Sequence, residues 1–267
     1  MVVYDFNAPD ADAVLRSSDE KEFHVHRLIL TLASPVFEGM FSLPQPPSKT
    51  LTVDFPDPAD ILKPFIQYIY PRSPPKVTDI SMWAALYTIA DKYLVDAVME
   101  SLREILIPRF LETYPLRVYA LASRWGFEEE AKIASRGTLT LDIFSDFPRE
   151  DAELMGGGAC QRLYALHFTR REAARKLVEK HYLPVTSLPQ CYCESRKCKR
   201  LISVLSRCVD TRTWSTAEAL WKELDEGDHP MRQCQRSTEC RNGVKNMLKY
   251  FTSLLEGVSL SDFPETI

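Results

Sequence analysis

Five of the seven cysteines lie in two short polar stretches, and cysteine thiolates at close spacing are ligands for zinc. The first stretch, "CYCESRKC", contains Cys191, Cys193 and Cys198; the second, "CQRSTEC", contains Cys234 and Cys240. Their spacings, C-x-C-x4-C and C-x5-C, are not the C-x2-C pairs typical of zinc knuckles. We expect reduced thiols at helix ends and no stoichiometric metal; the alternative is a structural zinc site closed by four of these thiolates.

Other patterns that could carry chemistry are incomplete. The acidic stretch "DFNAPDAD" lacks the central glycine and terminal glutamate of a calcium loop. The glycines at 156–158 follow no predicted strand and lack the Lys-Ser/Thr of a phosphate-binding loop, so they indicate a hinge. The sequence contains no nucleophile elbow, no His-Glu-x-x-His motif and no nucleotide-binding fingerprint. We therefore predict a non-enzymatic protein without a cofactor.

Charge is unevenly distributed along the chain. The net charge is −4, but residues 170–212 alone carry 11 basic against 4 acidic residues. A basic stretch can contact nucleic acid, although it is more often the solvated face of helices. The N-terminus lacks the apolar segment of a secretory signal, and no apolar run is long enough to span a membrane. We expect a cytoplasmic or nuclear protein with reduced cysteines.

The first third of the chain predicts a small α+β unit. Residues 12–16 and "EFHV" (22–25) are strands joined by a polar turn, and "TLTVDF" (50–55) alternates as a third strand. Between them, "HRLILTLA" predicts a helix with Leu28, Ile29 and Leu32 on one stripe. Ser34-Pro35 ends that helix and starts the next, with serine as N-cap and proline at the first helical position.

Helical patterns dominate the remainder. Residues 58–70 form one predicted helix, and residues 79–111 form two, joined near 94–96. Further helices are predicted before Gly126, after it, and from residue 155 to 182. Two more, at residues 215–226 and 243–257, follow toward the C-terminus. The expected architecture is an α+β domain at 8–110 followed by an all-helical region at 111–267.

The stretch "DADAVLRSSDEKEFHVHRLILTLASPVFEGMF", residues 10–41, resembles the BTB/POZ domain. The family places an aspartate before the first strand, Phe-x-x-His at the end of the second, a leucine one turn later, and then Ser-x-x-Phe. The matching residues in this chain are Asp12, Phe23, His26, Leu30, Ser34 and Phe37. The whole chain is similar to BTB proteins of fungi, of the basidiomycete type, whose C-terminal half is helical.

The resemblance implies a protein–protein interaction module. BTB domains commonly form homodimers, some are adaptors for cullin-3 ubiquitin ligases, and others occur in transcription regulators. We therefore expect protein partners and a dimerising scaffold or adaptor, with cullin-3 as one candidate partner. The alternative is a regulator that contacts nucleic acid through residues 170–212.

The resemblance also singles out three site residues. Asp12 and Arg27 match the acidic and basic residues that line a charged pocket near the dimer interface of some BTB domains. They form either a buried pair, costly to break on one side, or a surface pair of little energetic weight. His26 is interpreted as a structural histidine that bonds the backbone turn. Only eleven residues precede Asp12, so we expect no strand-exchanged dimer; an interface should use the helical faces of residues 1–41.

Overall fold

The computed structural model describes residues 6–43, 51–71, 73–144, 147–182 and residue 249, with side chains at most of these positions. The chain divides into two compact units, Met1–Leu111 and Glu112–Ile267. The described elements of the first unit are β1 (Ala13–Arg16), β2 (Glu22–Val25), α1 (Arg27–Ala33), α2 (Pro35–Ser42), β3 (Leu51–Asp54), α3 (Ala59–Ile69), α4 (Ile80–Lys92) and α5 (Asp96–Phe110). Those of the second are α6 (Pro115–Arg124), α7 (Glu128–Gly137), a 3-10 turn (Thr138–Thr140) and α8 (Arg149–Tyr182).

The sheet of the first unit has the order β2-β1-β3. The hairpin strands β1 and β2 are antiparallel, with Ala13 opposite Val25. The period-2 pattern of "EFHV" places successive side chains of β2 on opposite faces of the sheet. β3 pairs with β1 in parallel, with Ala13 opposite Leu51. A parallel pair requires a crossover connection, and α1 and α2 lie within it. The predicted α+β fold class is thus confirmed, with a helical region after it.

The core of the first unit draws on its strands and its helices. Five buried members of this core are Phe23, Leu30, Phe37, Phe65 and Leu86. The junction between α1 and α2 is held by the predicted cap, because the Ser34 hydroxyl accepts the Phe37 N–H at 3.1 Å. The same hydroxyl donates to the carbonyl of Tyr93 at the end of α4, which ties the junction to the helical hairpin.

One interpretation of α1 requires correction. The predicted stripe of Leu28, Ile29 and Leu32 does not face the core, because 69 % of Leu28 and 80 % of Leu32 is exposed, whereas Leu30 is buried. Residues two apart on a helix point to opposite sides, whereas residues four apart lie on the same side. Leu28 and Leu32 therefore form an apolar pair on the outer face of α1.

Helices α4 and α6 end in the same hydrogen-bond pattern with different residues. After α4, Val95 N–H donates to Ala90 O at 2.9 Å; after α6, Phe127 N–H donates to Ala122 O at 2.8 Å. Between them, Leu94 has φ 50° and Gly126 has φ 71°. Both are Schellman caps, whose central position favours glycine because a Cβ is strained there. Leu94 is the exception, and it is also exposed.

We expect Leu94→Gly to raise the free energy of unfolding by about 0.5–1 kcal/mol, because it relieves the left-handed backbone strain of a branched residue. The matched change in the other unit, Gly126→Ala, should lower it by about 1 kcal/mol, because it introduces that strain. Urea unfolding of both variants measures the two shifts. A Leu94→Gly protein less stable than the wild type would contradict this account of the cap.

The second unit is built around α8, which changes direction at Gly156. That residue has φ 74° and ψ 166°, a conformation that essentially only glycine adopts. Contacts from α6 hold the helix on both sides of the break. Arg117 pairs with the largely buried Asp151 at 2.7 Å before it, and the Tyr119 hydroxyl donates to Ala159 O at 2.9 Å after it. The predicted glycine hinge is therefore a clamped bend, and the helix starts six residues earlier than we predicted.

The described residues contain no helix long and apolar enough to cross a membrane. Among the same residues, no group of three or more histidine, cysteine or acidic side chains is arranged to hold a metal ion. The five cysteines of the zinc alternative and the predicted helices at 215–226 and 243–257 lie outside the described residues. Those predictions therefore stay untested.

Candidate interaction site

The three site residues suggested by the sequence meet at the N-terminus of α1. Asp12 precedes β1 and extends the hairpin pairing, since its N–H donates to Val25 O at 3.2 Å. Its carboxylate then accepts the backbone N–H of Arg27 at 2.7 Å. A carboxylate at a helix N-terminus satisfies a free N–H group and interacts favourably with the helix dipole. Asp12 thus caps α1 from a distant position in the chain.

Arg27 directs its side chain away from that carboxylate. Its guanidinium donates to the carbonyl of Phe41 at 2.8 Å and lies over the Phe41 ring, 5.1 Å from the centroid. Asp12 and Arg27 therefore interact through a backbone N–H, and Asp12 is exposed. The geometry matches neither a buried ion pair nor a surface pair of side chains. The guanidinium instead fastens α1 to the end of α2.

His26 is the residue between β2 and α1, and its partners are side chains. Its backbone N–H donates to the hydroxyl of the buried Tyr70 at 2.9 Å, and its Nδ1 lies 3.1 Å from the same oxygen. Nε2 faces the carboxylate of Asp10 at 3.4 Å. The Tyr70 hydroxyl can donate to Nδ1 when the imidazole proton is on Nε2. The ring of His26 thus bonds Tyr70 rather than the backbone turn, and its role in the site stays a prediction.

Two further aspartates cap helices of this unit. Asp19, in the hairpin turn, accepts the Ala59 N–H of α3 at 2.8 Å, and Asp79 accepts two N–H groups at the start of α4. Hydrogen bonds from Ser17 and then Ala59 lower the pKa of Asp19 to about 2. Hydrogen bonds from Met82 and Ser81 lower the pKa of Asp79. Together with Asp12, these carboxylates fix the helices that surround the sheet.

The apolar pair Leu28 and Leu32 completes the site, and sequence reasoning did not identify it as a surface. These side chains lie on the seven-residue helix whose N-terminus is next to Asp12, His26 and Arg27. The signal was present in the spacing, because Leu28, Leu30 and Leu32 cannot all face one core. A helix with one leucine buried and two exposed presents an apolar contact face bordered by polar groups.

Comparison with known proteins finds a family match in the first unit. The family model of the BTB/POZ domain matches residues 6–109. Twenty-eight chains of solved structures match significantly. One, the BTB domain of zebrafish PATZ1, is 24 % identical over 36 % of this chain and 75 % of that chain, with a TM-score of 0.30. No curated protein matches the chain significantly.

The family match covers only the first part of the chain. It covers the sheet and helices α1 to α5, which include the capped N-terminus of α1 and its two exposed leucines. The second unit lies outside it, so the similarity to fungal BTB proteins stays a prediction. Residues 6–109 therefore match the BTB/POZ domain, which is a protein–protein interaction and dimerisation module.

Proposed function

We propose that this chain is a dimerising scaffold or adaptor that associates with a second copy of itself through the outer face of α1. The observation that carries the proposal is the exposure of Leu28 and Leu32, one turn apart on a helix of the BTB/POZ domain. Burying a leucine side chain contributes about 1.5–3 kcal/mol, so a two-fold contact that covers four leucines has a sufficient apolar centre.

The polar residues beside this pair support the same surface. Asp12 and Arg27 hold the N-terminus of α1 and join it to α2, and His26 anchors it to Tyr70. A helix fixed at its start loses little conformational freedom when a partner binds. We include Asp12, His26 and Arg27 in the proposed interaction site as the groups that position the helix. An interface confined to this face is small and reversible.

Sedimentation velocity across a hundredfold concentration series tests the proposal. We expect the wild-type protein to move from monomer to dimer, and the double variant Leu28→Glu, Leu32→Glu to stay monomeric, because four buried carboxylates would face one another. Ile133→Glu changes an exposed aliphatic residue of α7 in the second unit and should dimerise like the wild type. A monomeric wild type, or a double variant that still dimerises, would refute this role of α1.

Two finer roles are compatible with such a scaffold. A cullin-3 adaptor rests on the family resemblance alone, and direct binding of purified cullin-3 is its test. A nucleic-acid regulator rests on the basic residues 170–212, of which the structure describes only the first part. Salt-dependent retention on a polyanion column would support the second role, and elution at low salt would exclude it.

A further inference from the structure

The second unit carries an aromatic surface that its core does not use. The segment before α8 places Phe144 against Tyr164 and His167 of α8, with ring centroids 5.7 and 6.3 Å apart. Phe147 contacts the same tyrosine at 5.3 Å. Residues three and four apart on a helix are neighbours on its surface, so these contacts define one face of α8.

Phe168 extends this face into solvent. It lies four residues after Tyr164 and three before Arg171, so it shares their side of the helix. Its exposed fraction is 59 %, and that of Phe144 is 43 %. Single exposed apolar residues are ordinary, whereas several exposed aromatic side chains on one face of a helix form a patch that water solvates poorly. We call Phe144, Tyr164, Phe168 and Arg171 the aromatic–arginine patch.

Arg171 gives the patch its charge. Its guanidinium lies over the Phe144 ring at 5.4 Å from the centroid, and a stacked guanidinium keeps its N–H groups at the edge available for a planar acceptor. Within the part of the chain that the structure describes, Arg171 forms no other ring contact, hydrogen bond or ion pair. Residues 162–176 contain five basic residues and one acidic residue, although the whole chain is net negative.

The arrangement favours a carboxylate over a nucleic-acid strand. Arg171 already covers a face of Phe144, so a base cannot stack on that face. The carboxylate of Glu172 follows Arg171 directly, and that of Asp142 acts on the buried His167 beside it. A single carboxylate can still reach the edge of the stacked guanidinium of Arg171, whereas a nucleic-acid strand would lose base stacking on this face.

We propose that the aromatic–arginine patch binds a short acidic segment of another protein, with a carboxylate on Arg171 and an adjacent large apolar side chain on Phe168. The positive charge of Arg171 complements a carboxylate, and the exposed ring of Phe168 can contact an apolar side chain. The surface lies outside the BTB/POZ match, so the proposal is independent of self-association through α1.

Fluorescence polarisation of the 267-residue chain tests this binding with a labelled decapeptide of alternating leucine and glutamate. We expect the wild type to bind it at least about tenfold more tightly than a leucine–lysine decapeptide, because the patch is cationic. Arg171→Met and Phe168→Ser should each weaken binding about five- to tenfold. Arg149→Met removes another arginine of α8, one paired with Glu153 in its first turn, and should have no effect.

The outcomes separate the alternatives. Equal affinity for the two peptides, or unchanged binding by Arg171→Met, would overturn the proposal. Binding of a labelled oligo(dT) strand that Arg171→Met abolishes, without binding of the acidic peptide, would assign the patch to nucleic acid and overturn it as well. Circular dichroism melting of each variant verifies that the second unit is folded. Because both changed side chains are on the surface, melting should match that of the wild type.

Discussion

Replacing Phe37 by alanine is expected to lower the free energy of unfolding of the first unit by about 3–5 kcal/mol. The ring is fully buried at the junction of α2, β3 and the helical hairpin. It stacks on Tyr93 at 5.0 Å between centroids and on Phe41 at 5.9 Å, and Phe55 lies at 6.3 Å. Truncation removes these contacts and leaves a cavity that aromatic neighbours cannot easily close.

Urea unfolding, combined with hydrogen exchange of peptides from residues 6–109, measures this loss in the unit concerned. Phe168→Ala is the matched control, because it makes the same chemical change at a ring that is mostly in water. It should alter stability by less than about 0.5 kcal/mol. A loss below about 1 kcal/mol for Phe37→Ala would mean that this junction is not the centre of the core.

The second unit should lose about 3 kcal/mol of stability as pH falls from 6.5 to 4, because His167 is buried in its neutral form. Burial and, to a smaller extent, the nearby Arg170 lower the pKa of His167 to about 4, while Asp142 acts in the opposite direction. Its Nε2 lies 3.0 Å from the Thr138 hydroxyl, which joins α8 to the 3-10 turn. The unfolded chain takes up the proton near pH 6.5 and the folded chain only near pH 4. The full stability is therefore present above pH 6.5.

Urea unfolding at several pH values tests the histidine as the source of this dependence. His167→Gln cannot be protonated, so its stability should change less between pH 6.5 and 4, and the difference from the wild type isolates the contribution of His167. Carboxylates titrate in both proteins and cancel in that comparison. Parallel pH profiles for the two proteins would show that another group controls acid stability.

Local signals in the sequence were sufficient to predict the helices and strands of the first unit. The alternating "EFHV", the Ser34-Pro35 start of α2 and the change between two helices near residue 94 each act over a few residues. The partners of the site residues do not follow from such signals. His26 bonds Tyr70, which is 44 residues away, and no pattern near either residue specifies the other. Only the packed fold brings α3 against the start of α1.

Asp12 and Arg27 show a second limit of sequence reasoning. The sequence predicted that the two side chains would pair, and the hairpin returns the chain to a position beside Asp12. Opposite charge suggested an ion pair, yet the carboxylate bonds a backbone N–H and the guanidinium bonds a backbone carbonyl. Backbone N–H and C=O groups at helix ends compete with opposite charges for polar side chains. Because every sequence contains these groups, composition does not reveal which side chains they will bind.

The parallel pairing of β3 with β1 has a consequence for the route by which the chain folds. β1 meets β2 across a five-residue turn, whereas Arg16 meets Asp54 across 38 residues that include two helices. Closing the longer loop costs more chain entropy and delays the contact, so the hairpin forms first and β3 docks later. Until it docks, one side of β1 is an unpaired strand edge, open to strands of other molecules. The refolding yield should therefore fall as protein concentration rises, because the unpaired edge of this intermediate can bind other molecules before β3 docks.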